Sequence, residues 1–144
     1  MKDKNIINIL VKNNKKKFIG KYSYLLMKLL GVEIPRECVV DNNVIFSHWS
    51  NGLVVHPNTI IKKNVKLYQN VTIGRADIYL ENESNIRIII DEGAVICAGA
   101  KILCKNNYLK VGRNTVVGAN SVLLESTGDN EIWAGIPAKK IRDR

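Results

Sequence analysis

Residues 55–74 read VHPNTIIKKNVKLYQNVTIG. Aliphatic side chains stand at Val55, Ile61, Leu67 and Ile73, one every six residues. Four positions after the first three come the smaller Thr59, Val65 and Val71, and three positions after come Asn58, Asn64 and Asn70. An exposed-face strand repeats every two residues and an amphipathic helix every 3.6, so neither explains a period of six. Asn tolerates the left-handed backbone region several-fold better than most residues, so the Asn column marks one sharp corner per hexad. A coiled solenoid accounts for all three columns at once.

The register extends in both directions. Ile34, Val40 and Phe46 precede the quoted stretch; Ile90, Ile96, Ile102, Val111, Val117 and Leu123 follow it, giving thirteen anchors in all. The small column continues through Cys38, Val44, Ala94, Ala100, Thr115 and Ser121, and the corner column through Asn43, Gly93, Gly99, Asn114 and Asn120. One large and one small inward side chain per hexad suits a narrow interior. Three hexads make a triangular turn, so thirteen make about four stacked coils of an all-β parallel β-helix. Composition agrees: Ile and Val supply 33 of 144 residues and aromatics only 9, which favours strands over a helical bundle.

Three interruptions mark loops leaving the prism. Phe46 to Val55 spans nine residues and holds His48, Trp49, Ser50, Asn51 and Gly52; Ile73 to Ile90 spans seventeen; Ile102 to Val111 spans nine. Loops on a repetitive scaffold commonly carry function, although the third reads as a surface insertion. Before the solenoid, Phe18, Tyr22, Leu25, Leu26 and Leu29 fall at helical spacing within residues 15–30, predicting a short helical segment that caps the first coil. The alternative is a basic amphipathic helix at a membrane surface. The expected organisation is a basic helical segment at 1–31, a β-helix at 32–127 with an excursion at 74–89, and a turn and short tail at 128–144.

The net charge of +9 is uneven: residues 1–30 hold eight Lys against Asp3, whereas residues 31–138 are close to neutral. Nucleic acid is not an expected partner, because the neutral centre lacks a basic face with interleaved aromatics. The charged N-terminus allows peripheral contact with an acidic membrane surface. No apolar run reaches the length of a membrane span and no signal-like stretch opens the chain, so a cytoplasmic location is expected. Cys38, Cys97 and Cys104 lack the paired spacing of a zinc site or disulfide framework and suit a reducing compartment as small apolar fillers. No metal is expected.

Certain segments carry a more specific pattern: Gly31-Val32-Glu33-Ile34-Pro35, His48 with Gly52-Leu53-Val54-Val55, and Val71-Thr72-Ile73-Gly74. Ala98-Gly99-Ala100-Lys101-Ile102-Leu103, Val117-Gly118-Ala119-Asn120-Ser121-Val122-Leu123 and Ala134-Gly135-Ile136-Pro137-Ala138-Lys139 add to it. From Gly31 to Ile141 the chain resembles the serine acetyltransferase-like branch of the hexapeptide-repeat acyltransferases, which includes polysaccharide O-acetyltransferases. The resemblance implies a left-handed β-helix, a hand the register alone does not reveal. It also implies acetyl-CoA as co-substrate, bound between subunits of a homotrimer.

By that resemblance the general base falls on His48 and its positioning carboxylate on Glu33. An imidazole near pKa 6.5 can take the proton of a hydroxyl as it attacks a thioester, and a carboxylate on the other ring nitrogen fixes the tautomer. An eighteen-residue coil would stack position 33 over position 51, near His48. His56, at a corner before Pro57, is the rival base. Matched positions point to Gly74, Arg75, Ala98 and Ala119 around acetyl-CoA, with Lys139 and Lys140, beside Arg142, as partners of its phosphates. Trp133 reads as covering the adenine or as packing on the last coil.

The pattern is not complete. Ser47 stands where the family has Asp before the base, and the Arg-His pair that receives serine aligns with Ile86 and Arg87. A sugar or glycan-precursor hydroxyl is therefore the expected acceptor. Serine O-acetylation, N-acetylation of an amino sugar and a non-catalytic trimeric solenoid are the alternatives. A γ-type carbonic anhydrase is excluded, since it needs three His per zinc and the chain has 2.

Overall fold

The computed structural model describes residues 5–78 and 86–144. Among the described residues two helices, α1 (Ile6–Asn14) and α2 (Gly20–Leu29), precede fourteen strands in three sheets. The first sheet holds β1 (Val39–Val40), β4 (Thr59–Ile61), β7 (Arg87–Ile90) and β10 (Tyr108–Val111). The second holds β2 (Ile45–Phe46), β5 (Lys66–Leu67), β8 (Val95–Ile96), β11 (Val116–Val117), β13 (Glu131–Gly135) and β14 (Ala138–Asp143). The third holds β3 (Val54–Val55), β6 (Thr72–Arg75), β9 (Lys101–Cys104) and β12 (Val122–Leu123). From β1 to β12 the chain visits the sheets in strict rotation and every rung pairs in parallel with the next, which is the winding that the six-residue register predicts.

The interior follows the two inward columns. Twelve of the thirteen anchors are buried, with Val40 partly covered, and every residue of the small column from Cys38 to Ser121 is buried. Burying one aliphatic side chain is worth about 1.5–3 kcal/mol, whereas a non-Gly residue in the left-handed region costs roughly 1–2 kcal/mol. Three anchors per coil therefore outweigh the corners they require. Those corners take positive φ at Asn64, Asn70, Gly93, Gly99, Asn114 and Asn120. They also stack: a Cβ on Gly52, Gly93 or Gly99 would collide with the side-chain oxygen of Asn70, Asn114 or Asn120 on the following coil. Asn43 and Asn58 differ from the expectation and are not left-handed. There the Asn43 amide donates to the Asp41 carboxylate (2.8 Å) and the Asn58 amide to His56 Nδ1 (3.2 Å), so a side chain closes the turn instead.

Cross-rung charge stitches the first sheet. Asp91, 5% exposed, accepts from Lys62 (2.9 Å) on the coil before and Lys110 (3.1 Å) on the coil after. Burial alone would push its carboxyl up, but the hydrogen bonds from Lys62, the Glu92 amide and Lys110 outweigh burial and hold it down at about 2.

Both ends depart from the expected layout. One helix was expected over 15–30; the structure has two, and the cap is α1. Its Asn5, Asn8 and Asn14 side-chain amides donate to the carbonyls of Phe46 (2.6 Å), Val44 (2.8 Å) and Ile34 (3.0 Å), satisfying the open edge of the first coil, while Ile7 and Leu10 are buried. Helix α2 lies on α1 through Gly20, Ser23 and Met27, so the apolar stripe Phe18, Tyr22, Leu25, Leu26 and Leu29 is exposed rather than docked on the coil. At the other end, residues 131–143 are a hairpin rather than a loose tail. Strand β13 joins the second sheet parallel to β11, and β14 closes it antiparallel. Among the described residues no helix is long and apolar enough to cross a membrane.

Candidate active site

The turn from the second sheet to the third recurs once per coil, and its first occurrence is the Ser47–Ser50 loop between β2 and β3. There the chain holds three successive non-Gly residues at positive φ: His48 (51°), Trp49 (58°) and Ser50 (48°). The surroundings impose this. Ser50 is buried and its hydroxyl donates to the Leu67 carbonyl (2.8 Å), Asn51 donates to the Leu30 carbonyl (2.9 Å), and Gly52 fits under Asn70 only because it lacks a Cβ. The loop presents the His48 ring against Tyr68, with ring centres 6.1 Å apart and planes tilted by 48°. His48, Trp49, Tyr68 and Asn5 line an open cleft of about 450 Å³. No hydrogen bond from the described residues occupies either His48 ring nitrogen.

Later turns on the same edge carry Tyr68–Gln69–Asn70, Cys97–Ala98–Gly99 and Gly118–Ala119–Asn120. The Gly99 amide donates to the Gln69 carbonyl and the Asn120 amide to the Ala98 carbonyl, both at 2.9 Å, so these turns stack directly. The structure thus brings His48, Ala98 and Ala119 onto one edge of the prism. Gln69, between them, has a buried side-chain oxygen with no hydrogen-bond partner among the described residues. Sequence reasoning missed Tyr68 and Gln69. The usable signal was their position directly after the anchor Leu67, one coil after His48.

Glu33 is placed differently from the expectation. It bridges Val54 in the third sheet, not residue 51, because the His48 loop adds three residues to the first coil. Its carboxylate accepts from Tyr24 (3.3 Å) and pairs with Lys28 (3.4 Å), and no hydrogen bond joins it to His48. Glu33 raises the Lys28 pKa.

Gly74 and Arg75 end β6, at the far side of the third sheet from Ala98 and Ala119. At Gly74 φ is not positive and a Cβ would meet nothing within 4 Å, so neither backbone nor packing requires glycine there. Arg75 pairs through Nε with Asp77 (3.2 Å). The excursion beyond it, residues 79–85, lies outside the described residues. Lys139 pairs with Glu125 (2.8 Å); Lys140 bridges Glu131 (2.9 Å) and Asp143 (2.7 Å). These residues stand on β14 and its neighbours, away from the His48 loop in sequence and engaged within the chain. Trp133 is 9% exposed and donates to Glu131 (2.8 Å), a packing position that leaves no open face for an adenine.

His56 behaves as a turn former. Burial, then the nearby Arg75 charge, lowers its pKa, and its Nδ1 accepts the Asn58 amide. The neutral ring then carries its proton on Nε2, and neither nitrogen offers a free lone pair to an acceptor hydroxyl. Burial pushes the Cys38 thiol up to about 12, which removes it as a nucleophile. Among the described residues no cluster of three or more His, Cys, Asp or Glu is arranged to hold a metal.

Comparison with known proteins agrees with the scaffold. The family model described as "Hexapeptide repeat of succinyl-transferase" matches residues 18–46. Serine acetyltransferase of Haemophilus influenzae is 32% identical over 108 residues, 75% of this chain and 38% of that protein. Its counterpart in Staphylococcus aureus is 28% identical over 131 residues, 90% of this chain and 58% of that protein. The crystal structure of Brucella abortus serine acetyltransferase in complex with coenzyme A superposes with a TM-score of 0.75 at 26% identity, covering 95% of this chain and 52% of that one. A serine acetyltransferase in complex with cysteine gives 0.76 at 26% identity, covering 96% and 52%. The chain spans roughly four to six tenths of these relatives' length. The neighbours imply a left-handed winding for the three parallel sheets. Polysaccharide O-acetyltransferases, which the sequence favoured, are not among these relatives. By repeat, fold and alignment, the chain is similar to the hexapeptide-repeat acyltransferases, and these relatives are serine acetyltransferases.

Proposed function

We propose that this chain is an acetyl-CoA-dependent O-acetyltransferase with His48 as its general base. The observation that carries the reading is the His48 corner: three strained residues hold an imidazole, neither of whose nitrogens is hydrogen-bonded by the described residues, at a cleft in line with the small Ala98 and Ala119. Strain of this kind persists only where the surrounding structure fixes it, and it concentrates at functional sites. Acetyl-CoA supplies the thioester. Gly74, Ala98 and Ala119 are the places where a pantetheine chain can approach backbone, and Gly74 is open enough to receive one. His48 takes the proton of the acceptor hydroxyl as its oxygen forms the bond to the acetyl carbon, and gives it to the departing sulfur, leaving an acetyl ester and free CoA. Glu33 is the proposed positioning carboxylate; to serve, it exchanges Lys28 and Tyr24 for the imidazole. Lys139 is the more available phosphate partner, since its pair with Glu125 is exposed, whereas Lys140 is held twice. A homotrimer would complete the groove.

The comparisons back serine as the acceptor better than a sugar hydroxyl. The sugar reading stands second, and one observation favours it: Ile86, aligned with the serine-receiving pair, is 3% exposed and cannot touch an acceptor, while Trp49 and Tyr68 offer aromatic faces beside His48. Incubation with acetyl-CoA and either serine or a panel of sugars, followed by CoA release and product mass, tests both. Acetylserine supports the first reading and an acetylated sugar the second; absence of CoA release with every acceptor overturns the enzyme reading.

A further inference from the structure

Helix α2 turns Gly20, Ser23 and Met27 inward and most of its large apolar residues outward. Gly20 sits against the Asn14 carbonyl, where a Cβ would collide, and Ser23 and Met27 complete the buried face. Asn5, Asn8 and Asn14 pin α1 to the first coil, and α2, packed on α1 in this orientation, leaves its large side chains uncovered by the described residues. Tyr22, Leu25, Leu26 and Leu29, spaced by three and four residues, form one stripe that Phe18 extends at its start; Phe18, Tyr22 and Leu29 are 81%, 74% and 75% exposed. The stripe is about 16 Å long. Lysines surround it: Lys12, Lys15, Lys16, Lys17, Lys21 and Lys28 are all exposed, and residues 5–30 contain no acidic side chain.

We propose that this face docks on the surface of an anionic phospholipid bilayer, with the apolar stripe entering the headgroup boundary and the lysines meeting lipid phosphates. An apolar stripe flanked by Lys on a short helix is the chemistry of interfacial binding, and each Lys near such a surface strengthens it by about fivefold. A second copy fits less well, since pairing two such faces sets six lysines against six, of which, among the described residues, Lys28 alone is paired with an acid, Glu33. The inference does not depend on the acceptor or on the activity. It places the protein where a lipid-borne or membrane-proximal substrate would be met.

Co-sedimentation of the full chain with phosphatidylcholine vesicles, with and without one third phosphatidylglycerol, tests it. Three proteins are compared: the unaltered chain, Leu25→Ser/Leu29→Ser, and Lys16→Gln/Lys17→Gln/Lys21→Gln. Every substituted side chain is exposed, and far-UV circular dichroism with thermal unfolding checks each fold. The expected result is at least tenfold stronger partition onto the anionic vesicles, falling with added salt, and a loss of about tenfold or more in both variants. Equal partition onto neutral vesicles, or unchanged partition of either variant, overturns the proposal. So does absence of partition combined with a smaller sedimentation coefficient for Leu25→Ser/Leu29→Ser, which would assign the face to a second copy.

Discussion

The edge between the second and third sheets makes the same turn four times with two kinds of residue. On the second, third and fourth coils the left-handed position is Asn70, Gly99 and Asn120, residues that adopt it at low cost. On the first coil the corner stacked under Asn70 is Gly52, and the loop ahead of it adds three more left-handed residues, His48, Trp49 and Ser50, none of them suited to it. Gly52 already makes the corner, so the three residues added before it are not needed for the turn itself. Packing gives the imidazole a tilted contact with Tyr68 and leaves the indole half-exposed. The proposed catalysis needs the imidazole there, and the comparison is strongest where substitution separates chemistry from folding.

The largest separation is expected at His48. His48→Ala should lower kcat/KM by about 10²–10⁴ while leaving thermal unfolding nearly unchanged, because the corner loses the proposed base and only an exposed ring contact with Tyr68. His56→Ala should keep activity within about threefold, as its ring closes a turn. CoA release with a thiol reagent measures both. If the two variants exchange these behaviours, the comparison is broken and the base lies at the other corner.

The converse holds at Gly99. Its φ of 74° strains any other residue, and an added Cβ would strike Asn120. Gly99→Ala should cost about 2–4 kcal/mol in denaturant unfolding. Gly99→Ala with Asn120→Gly removes the collision and leaves the strain, so about half the loss should return. A Gly99→Ala protein as stable as the unaltered chain would mean that the corner stack carries no weight.

The winding was legible because the period of six survives every loop, and because inward residues are selected by size. Corners were less so: at Asn43 and Asn58 a side chain two residues earlier, Asp41 or His56, satisfies the turn amide and removes the need for positive φ. The cap was hidden, since Asn5, Asn8 and Asn14 interrupt the apolar face of α1 and find their partners 41, 36 and 20 residues away. Helical spacing at 18–29 marked a helix, but spacing cannot say which way a stripe points; a glycine contact at Asn14 decides that. The His48 loop was recognisable as an interruption. Its three added residues shift Glu33 from Asn51 to Val54, so the partner expected by counting coils was displaced.

Regular corners of the first sheet can also draw on charge, and pH isolates that contribution. The Asp91 carboxyl, held at about 2 against an ordinary 3.8, contributes stability that is fully present above about pH 4 and is lost as pH falls through 2. Asp91→Asn should therefore lower stability at pH 7 by about 1–2 kcal/mol, discounted because Lys62 and Lys110 are partly exposed, and should flatten the pH profile between 4 and 2. An unchanged profile would assign the acid sensitivity to other carboxylates.

The smallest expected effect is the most informative about the His48 corner. Trp49 has φ of 58° and its side chain is 48% exposed, so it incurs left-handed strain and recovers little by burial. Replacing it with glycine removes the strain but adds freedom to the unfolded chain, two terms of about 1 kcal/mol and opposite sign. Trp49→Gly should then unfold within about 1 kcal/mol of the unaltered protein. If the indole is a platform for the acceptor, the same variant should raise the acceptor KM several-fold while the KM for acetyl-CoA stays put. A rise confined to sugars would shift the acceptor assignment away from serine. An equal loss for both substrates would mean that Trp49 only holds the His48 loop in shape, and that the strain belongs to the base alone.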